Sequence, residues 1–304
     1  MRDAQQADYV AVLYRYPTAL DAYELGFAPG VREDYSYQID AYPNVDLPVV
    51  VLDNDFTDPD IERYVDAFEQ DDPSVAIVGD AYSSWAAEQL NELTEQLRDA
   101  YPQKRYVAVP KCRDAFDVLD DEVVLGYPIG YSDLQADDIA DVDAWRGRPV
   151  HVLGGSPPTQ YEAIMDLTQL TLSGEPPADI VGMDWNGFQK GAYLGEYWSD
   201  EGWQPADHLS IRETARESLR QIKYFWEERG IWPETEPREL YGAAVEEPDE
   251  QLFMDQGGDP IPDREALESA YVEEYEEYGT LAFASALSKK RLKYREGLTP
   301  VDAR

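Results

Sequence analysis

Apolar and polar positions follow two spacings along the chain. Short, nearly continuous apolar runs recur at Tyr9–Tyr14, Tyr35–Ile39, Pro48–Leu52, Val75–Val78, Tyr106–Val109, Val123–Leu125, Val150–Leu153 and Asp179–Met183. Runs without alternation mark strands covered on both faces, as in parallel sheets. Between them the spacing turns helical. Pro59–Glu69 sets Ile61, Val65 and Phe68 on one stripe behind a capping Asp58. Ser84–Ala100 opens on a capping serine with Glu88 following and carries Leu90, Leu93 and Leu97. Thr159–Leu172 carries Tyr161, Ile164, Met165, Leu167 and Leu172. Eight strands alternating with helices predict an α/β fold, a (β/α)8 TIM-like barrel, with a doubly wound open sheet as the alternative.

The pattern changes toward the C-terminus. Ser210–Arg229 reads as a long helix that turns Ile211, Leu219, Ile222, Phe225 and Trp226 inward. Beyond Trp232-Pro233 the chain becomes acidic and rich in Pro and Gly, and a last helix follows at about Arg264–Tyr278. Residues 1–232 are therefore expected to form the barrel with its closing helix, and 233–304 an extended and helical C-terminal extension.

Composition narrows the class. The 304 residues include 43% hydrophobic side chains, enough for a packed core and too many for a disordered acidic chain. The single cysteine, Cys112, excludes an internal disulfide and a multi-cysteine zinc site. No apolar run approaches a membrane span and the N-terminus lacks a signal-like stretch, so a soluble, cytoplasmic protein with no membrane partner is expected. The net charge is −38, from 25 basic and 63 acidic residues spread along the chain. Such self-repulsion is tolerable where salt screens it, because the Debye length falls to about 3 Å at molar salt. The expected setting is a high-salt cytoplasm, that of halophilic archaea or a host infected by one of their viruses. Acidity does not exclude a nucleic-acid substrate there, since the phosphate attraction is weak for every protein at that salt.

In parallel α/β folds, chemistry gathers where strands end and loops begin. Here those positions hold Asp53-Asn54-Asp55-Phe56, Gly79-Asp80, Pro110-Lys111, Gly126-Tyr127-Pro128-Ile129-Gly130, Gly154-Gly155-Ser156-Pro157 and Asp184-Trp185-Asn186-Gly187. Asp53 or Asp55 can serve chemistry or form an Asx-turn, and Asp80 can cap a helix. Gly154-Gly155 is a tight turn or a backbone cradle for a flat or anionic ligand. Asp184 directly follows an apolar strand, where burial is costly without a function. His151 is a packed, hydrogen-bonded histidine or a ligand, and His208 lies in a polar linker as a surface residue. Glycine-rich nucleotide motifs and the Gly-x-Ser-x-Gly elbow are absent, and Cys112 has no evident histidine partner.

The order of these motifs resembles the tRNA-guanine transglycosylase superfamily, nearest to the viral and haloarchaeal 7-deazaguanine DNA transglycosylases, over about Pro48 to Trp198. The resemblance implies that Asp53 matches the family's first Asp, the base-side acid or base, and Asp80 an acid that reads the base edge. Gly126-Tyr127-Pro128-Ile129-Gly130 matches its glycine-rich turn, with Gly126, Tyr127 and Pro128 toward the base, and His151-Val152-Leu153-Gly154-Gly155 its HxLG strand. Asp184 matches the nucleophile. Two departures stand out. The family's tRNA enzymes carry a zinc site that this chain lacks the cysteines to build. The Gly-Gly-Phe-Gln after the first Asp is replaced by Asn54-Asp55-Phe56, which leaves Asp53 and Asp55 both open as general base.

The chemistry implied is displacement of a base from C1′ through a covalent intermediate, with one carboxylate attacking and another moving the proton. Leu153, Gly154, Gly155, Trp185 and Asn186 would help bind the base, and Tyr127, Trp185, Phe188, Tyr197 and Trp198 are available for stacking. Lys111 and the Lys289-Lys290-Arg291 cluster are the expected nucleic-acid contacts, the cluster reading equally as a solvated helix end. The expected partners are DNA ahead of tRNA and a free modified purine, with no cofactor and no metal. Self-association and a virion partner stay open. Two rivals remain: a catalytically silent barrel that binds partners, and a carboxylate-metal hydrolase using Asp53, Asp55, Asp80 and Asp184.

Overall fold

The structure, a computed structural model, describes residues 6–13, 17–34, 45–130, 134–171, 176–244, 253–254, 260–261 and 264–281. Eight parallel strands close into a barrel in sequence order: β1 (Tyr9–Leu13), β2 (Ala28–Arg32), β3 (Val51–Asp53), β4 (Val75–Ala81), β5 (Arg105–Pro110), β6 (Val124–Pro128), β7 (Pro149–Leu153) and β8 (Asp179–Asp184). Helices α1 (Thr18–Glu24), α2 (Ile61–Asp71), α3 (Ser84–Ala100), α4 (Ala136–Ile139) and α5 (Pro157–Thr168) run between them, and a 3-10 turn at Arg113–Asp117 replaces the helix after β5. This is a (β/α)8 barrel. Its interior is filled by Tyr9, Ala11, Ala28, Val51, Val75, Ile77, Val107, Val109 and Val124, with Leu13 and Leu153 packed against them.

The second strand is not where the apolar run suggests. It is Ala28–Arg32, with the sequence APGVR, whereas Tyr35–Ile39 lies outside the described residues. Pro29 and Gly30 resemble a turn, yet both serve the strand. The Pro29 carbonyl accepts from Val50 N at 2.8 Å, and a Cβ on Gly30 would collide with the Leu13 side chain inside the barrel. The third strand likewise extends one residue beyond its apolar run, and so Asp53 is its last residue.

The outer helices follow the same logic with small shifts. Asp60, not Asp58, caps α2, its side chain accepting from Arg63 N at 3.1 Å. That moves the buried stripe to Tyr64, Ala67 and Phe68 and leaves Ile61 exposed. Ser83 caps α3, accepting from Ala86 N at 3.2 Å.

The chain forms two compact units. One comprises Met1–Asn186 and Phe225–Ala244, so the boundary expected after Trp232 falls inside it. Its second segment returns to the barrel: Ala7 N donates to Ile231 O at 2.9 Å, and Phe225 meets Tyr161 edge-on. The short helix Pro237–Tyr241 belongs here as well. The other unit comprises Gly187–Tyr224 and Val245–Arg304. It contains the helix Gly187–Tyr193, an antiparallel hairpin of Glu196–Ser199 and Gly202–Pro205, most of the long helix Ile211–Glu228, and the helix Arg264–Leu281. The hairpin was not expected from the sequence. In the acidic segment, Phe253–Met254 pairs with Pro260–Ile261. Lys289, Lys290 and Arg291 lie outside the described residues. Among the described residues no helix is long and apolar enough to cross a membrane.

Candidate active site

Three adjacent strands build the centre of the site. Register aligns Tyr9 of β1, Gly182 of β8 and His151 of β7 at one level of the barrel. A Cβ on Gly182 would run into the Tyr9 ring, so only glycine lets that ring lie flat across the strand. Tyr9 then reaches His151, its hydroxyl 2.7 Å from Nδ1. Two residues further along β8 stands Asp184, beside Ala11 and Leu153, and Nε2 of His151 is 3.2 Å from its Oδ1. All three residues are buried.

The direction of this chain follows from its ends. A carboxylate can only accept, so Nε2 carries the proton, and in the neutral imidazole Nδ1 then accepts from the Tyr9 hydroxyl. Tyr9 keeps its proton: burial pushes its pKa far up and the Asp184 charge adds to that, against the opposing pull of Arg105. A second donor, Gly154 N, approaches Oδ1 of Asp184 at 3.4 Å. Among the described residues Oδ2 has no hydrogen-bond partner.

Gln160 of α5 locks this end of the barrel. Its Nε2 donates to Gly154 O at 2.8 Å and to Asp184 O at 2.6 Å, tying the β7 loop to the end of β8. The loop itself is compressed. Gly154 and Gly155 have φ of 69° and 76°, and a Cβ on Gly154 would sit 2.7 Å from Ile129 O, with the β6 loop pressed against it.

Asp53 ends β3 and alternates with Val51, a core residue, so its side chain takes the interior side of the barrel. Its carboxyl is held well above the ordinary carboxylate range, first by burial and then by the charges of Asp184 and Asp80, with Asn54 N–H and Arg32 opposing. Asp53, Asp80 and Asp184 therefore share one electrostatic environment at the C-terminal end of the barrel. Asp80 is raised by burial, against Lys111, whose Nζ lies 3.6 Å away, and the Tyr82 hydroxyl, which donates at 3.3 Å.

Asp55 is occupied elsewhere. Its Oδ1 accepts from Thr57 N at 3.1 Å and Thr57 Oγ1 at 2.5 Å, and Arg32 and Arg63 flank it at 3.7 and 3.6 Å. Burial alone would raise its carboxyl, but these donors outweigh it and hold the group below the usual range. Of the two candidates for the proton-handling role, Asp53 faces the other carboxylates and Asp55 closes a turn.

The chain belongs to a family of unknown function, DUF6610. The family's model matches residues 22–227, which include Asp53, Asp80, His151, Gln160 and Asp184 but not Tyr9. No curated protein matches the chain. Among solved structures it is similar to the YdjI aldolase from Escherichia coli K12, at 12% identity and a TM-score of 0.43, over 79% of this chain and 93% of that one.

The remaining expected positions divide. Gly126 and Leu153 face inward together, since a Cβ on Gly126 would lie 2.7 Å from the Leu153 side chain. Pro128 shares the inward side of β6 with Gly126 by alternation. Tyr127 is a correction: it points to the opposite face, where it meets Trp145 edge-on with centroids 4.8 Å apart, and it stacks on nothing at the barrel mouth. Asn186 is tied down, its Oδ1 accepting from Leu13 N at 2.9 Å, while Trp185 N extends the ladder to Ala11 O at 3.4 Å. Lys111 is also a correction. Its side chain is buried beside Asp80 and is no surface phosphate contact. His208 is exposed as expected, and the Cys112 thiol points to Ala81 O at 3.8 Å. Phe188 and Trp198 are buried. Among the described residues, no group of three or more His, Cys, Asp or Glu side chains is placed to hold a metal ion.

Proposed function

We propose that the barrel exchanges a nucleobase at C1′ of a nucleic acid, releasing guanine and inserting a 7-deazapurine. One observation carries the reading. Asp184, held through Oδ1 by two N–H donors, shares the barrel mouth with Asp53, a carboxyl whose proton affinity burial and the neighbouring carboxylates raise. An acceptor and a proton source opening on one barrel mouth are what double displacement at an acetal-like carbon requires. Oδ2 of Asp184 attacks C1′, the C1′–N bond breaks, and its electron pair leaves with the base while Asp53 delivers a proton to a base nitrogen. The incoming base then gives a proton back to Asp53 and attacks C1′, and the Asp184–C1′ bond breaks. Asp80, with Lys111 and Tyr82 beside it, offers hydrogen-bonding groups to the base edge.

The motif order that resembles the transglycosylases supports the same assignment, and so do the partners of Asp184. A silent barrel would neutralise this carboxylate with an arginine, whereas here it meets His151 and a backbone N–H. Three rings, Phe56, Tyr82 and Trp85, are 53%, 59% and 68% exposed on the loops and helix start that follow β3 and β4. They offer stacking faces for bases flanking an extruded one, in a protein whose charge gives little help with phosphates.

The test is incorporation of labelled guanine or a 7-deazaguanine into DNA and tRNA at molar salt. Wild type is expected to retain label and to form a covalent protein–nucleic acid adduct. Asp184→Asn should lose both by at least three orders of magnitude while remaining folded. Undiminished incorporation by Asp184→Asn, or none by wild type on either nucleic acid, overturns the reading.

A further inference from the structure

We propose that Tyr9 and His151 are positioning residues for Asp184: the tyrosine hydroxyl fixes the histidine proton on Nε2 and thereby aims it at Oδ1, leaving Oδ2 directed to the substrate. Neither residue touches the reacting carbon in the chemistry above, so the inference rests on that reading only for its kinetic consequence.

The argument is geometric. A lone neutral imidazole near a carboxylate can present either nitrogen, and its ring can rotate about χ2. Here both freedoms are removed. With Nε2 donating to Asp184, Nδ1 of the neutral ring is left to accept from the Tyr9 hydroxyl 2.7 Å away, and the ring stands where Gly182 leaves room for Tyr9 to pass. His151 is fully buried, so bulk water does not reach Nδ1. With the tautomer fixed, the 3.2 Å contact to Oδ1 can only be an N–H donated to the carboxylate. Gly154 N–H addresses the same oxygen. Two donors on one oxygen and, among the described residues, none on the other make the carboxylate asymmetric and hold its plane, so that one oxygen is the better placed to attack. An ordinary barrel core needs none of this. The cheaper solution at these positions is the apolar packing that Ala11, Val107 and Val109 provide elsewhere in the same interior.

The chain has only two histidines, His151 and His208, so histidine-selective 15N labelling gives a spectrum with two ring systems. His208→Gln removes one of them and identifies the other. Wild type is expected to show His151 as the Nε2–H tautomer with Nδ1 hydrogen-bonded. In Tyr9→Phe, which keeps the ring over Gly182, the Nδ1 resonance should move and the single tautomer give way to a mixture. In the exchange assay, Tyr9→Phe and His151→Asn should lower kcat about tenfold or more and leave KM within about twofold, because orientation of the nucleophile matters most in the transition state. A wild-type His151 protonated on Nδ1 overturns the inference. So does a Tyr9→Phe variant whose spectrum or whose kcat is unchanged. If wild type shows the expected tautomer and its response to Tyr9→Phe but exchanges no base, the base-exchange reading fails and the positioning of Asp184 stands for another reaction.

Discussion

Gln160 offers the sharpest structural test of the site, because one buried amide nitrogen ties together two strand ends. Gln160→Met keeps the length and nearly the volume of the side chain, so the cavity contribution is small. What is lost are two hydrogen bonds, to Gly154 O at 2.8 Å and to Asp184 O at 2.6 Å. Leaving a buried carbonyl without a donor costs about 1–3 kcal/mol, so the pair amounts to roughly 2–6 kcal/mol. For a domain of this size, about 2–4 °C accompany each kcal/mol, and the midpoint should fall on the order of 10 °C. Gln160→Glu should fall further, since an ionised carboxylate cannot donate and would face two carbonyl oxygens. Thermal unfolding at molar salt, followed by circular dichroism, measures both variants. The loss should extend to activity, because Gly154, which Gln160 holds, presents its N–H to Asp184. A Gln160→Met midpoint within about 1 °C of wild type would refute the account, since two well-formed buried bonds cannot vanish at no cost.

Two further outcomes are expected. Asp53 binds a proton in the folded state that it releases when unfolded, so its contribution to stability is complete below the ordinary carboxylate range, about pH 4, and is lost as pH rises toward its raised folded value; Asp53→Asn should therefore be more stable than wild type at pH 7–8 and lose that advantage near pH 4, and parallel denaturation curves across the range would contradict this. Trp85→Ala should weaken binding of a single-stranded oligonucleotide by about 1–3 kcal/mol, roughly five- to 150-fold, as read by fluorescence anisotropy in the Asp184→Asn background; equal affinity would remove the ring from the substrate path.

The barrel was legible because parallel strands buried on both faces must be continuously apolar, and seven of the eight announced themselves in that way. Ala28–Arg32 did not. In an isolated segment Pro and Gly signal a turn, and only the closed barrel, with Leu13 filling the space above Gly30, makes them compatible with a strand. The hairpin Glu196–Ser199 with Gly202–Pro205 escaped notice for a related reason. It is short and half exposed, so it lacks the apolar density that marks the barrel strands. Tyr127 shows the converse error. Its place in a glycine-rich strand end suggests a ligand contact, yet the two-residue period set by inward-facing Gly126 sends it outward to Trp145.

At the site, the carboxylates were visible because a charge at the end of an apolar run has little structural reason to be there. What supports them was hidden in residues that look ordinary. Tyr9 begins a strand as many core tyrosines do, and its role appears only through Gly182 on the neighbouring strand, which is a gap in an otherwise bulky run and so implies that something large occupies the space. Gln160 stands at the head of a helical stripe with Ile164 and Leu167, at spacings of four and seven, where an apolar residue is the rule. A polar side chain on that stripe must find partners inside the protein, and Gln160 finds them in the Gly154 and Asp184 carbonyls at the barrel mouth. Both signals are mismatches between a residue and its pattern, one too small and one too polar. Each resolves into contacts on Asp184, one through His151 to its carboxylate and one through Gln160 to its carbonyl.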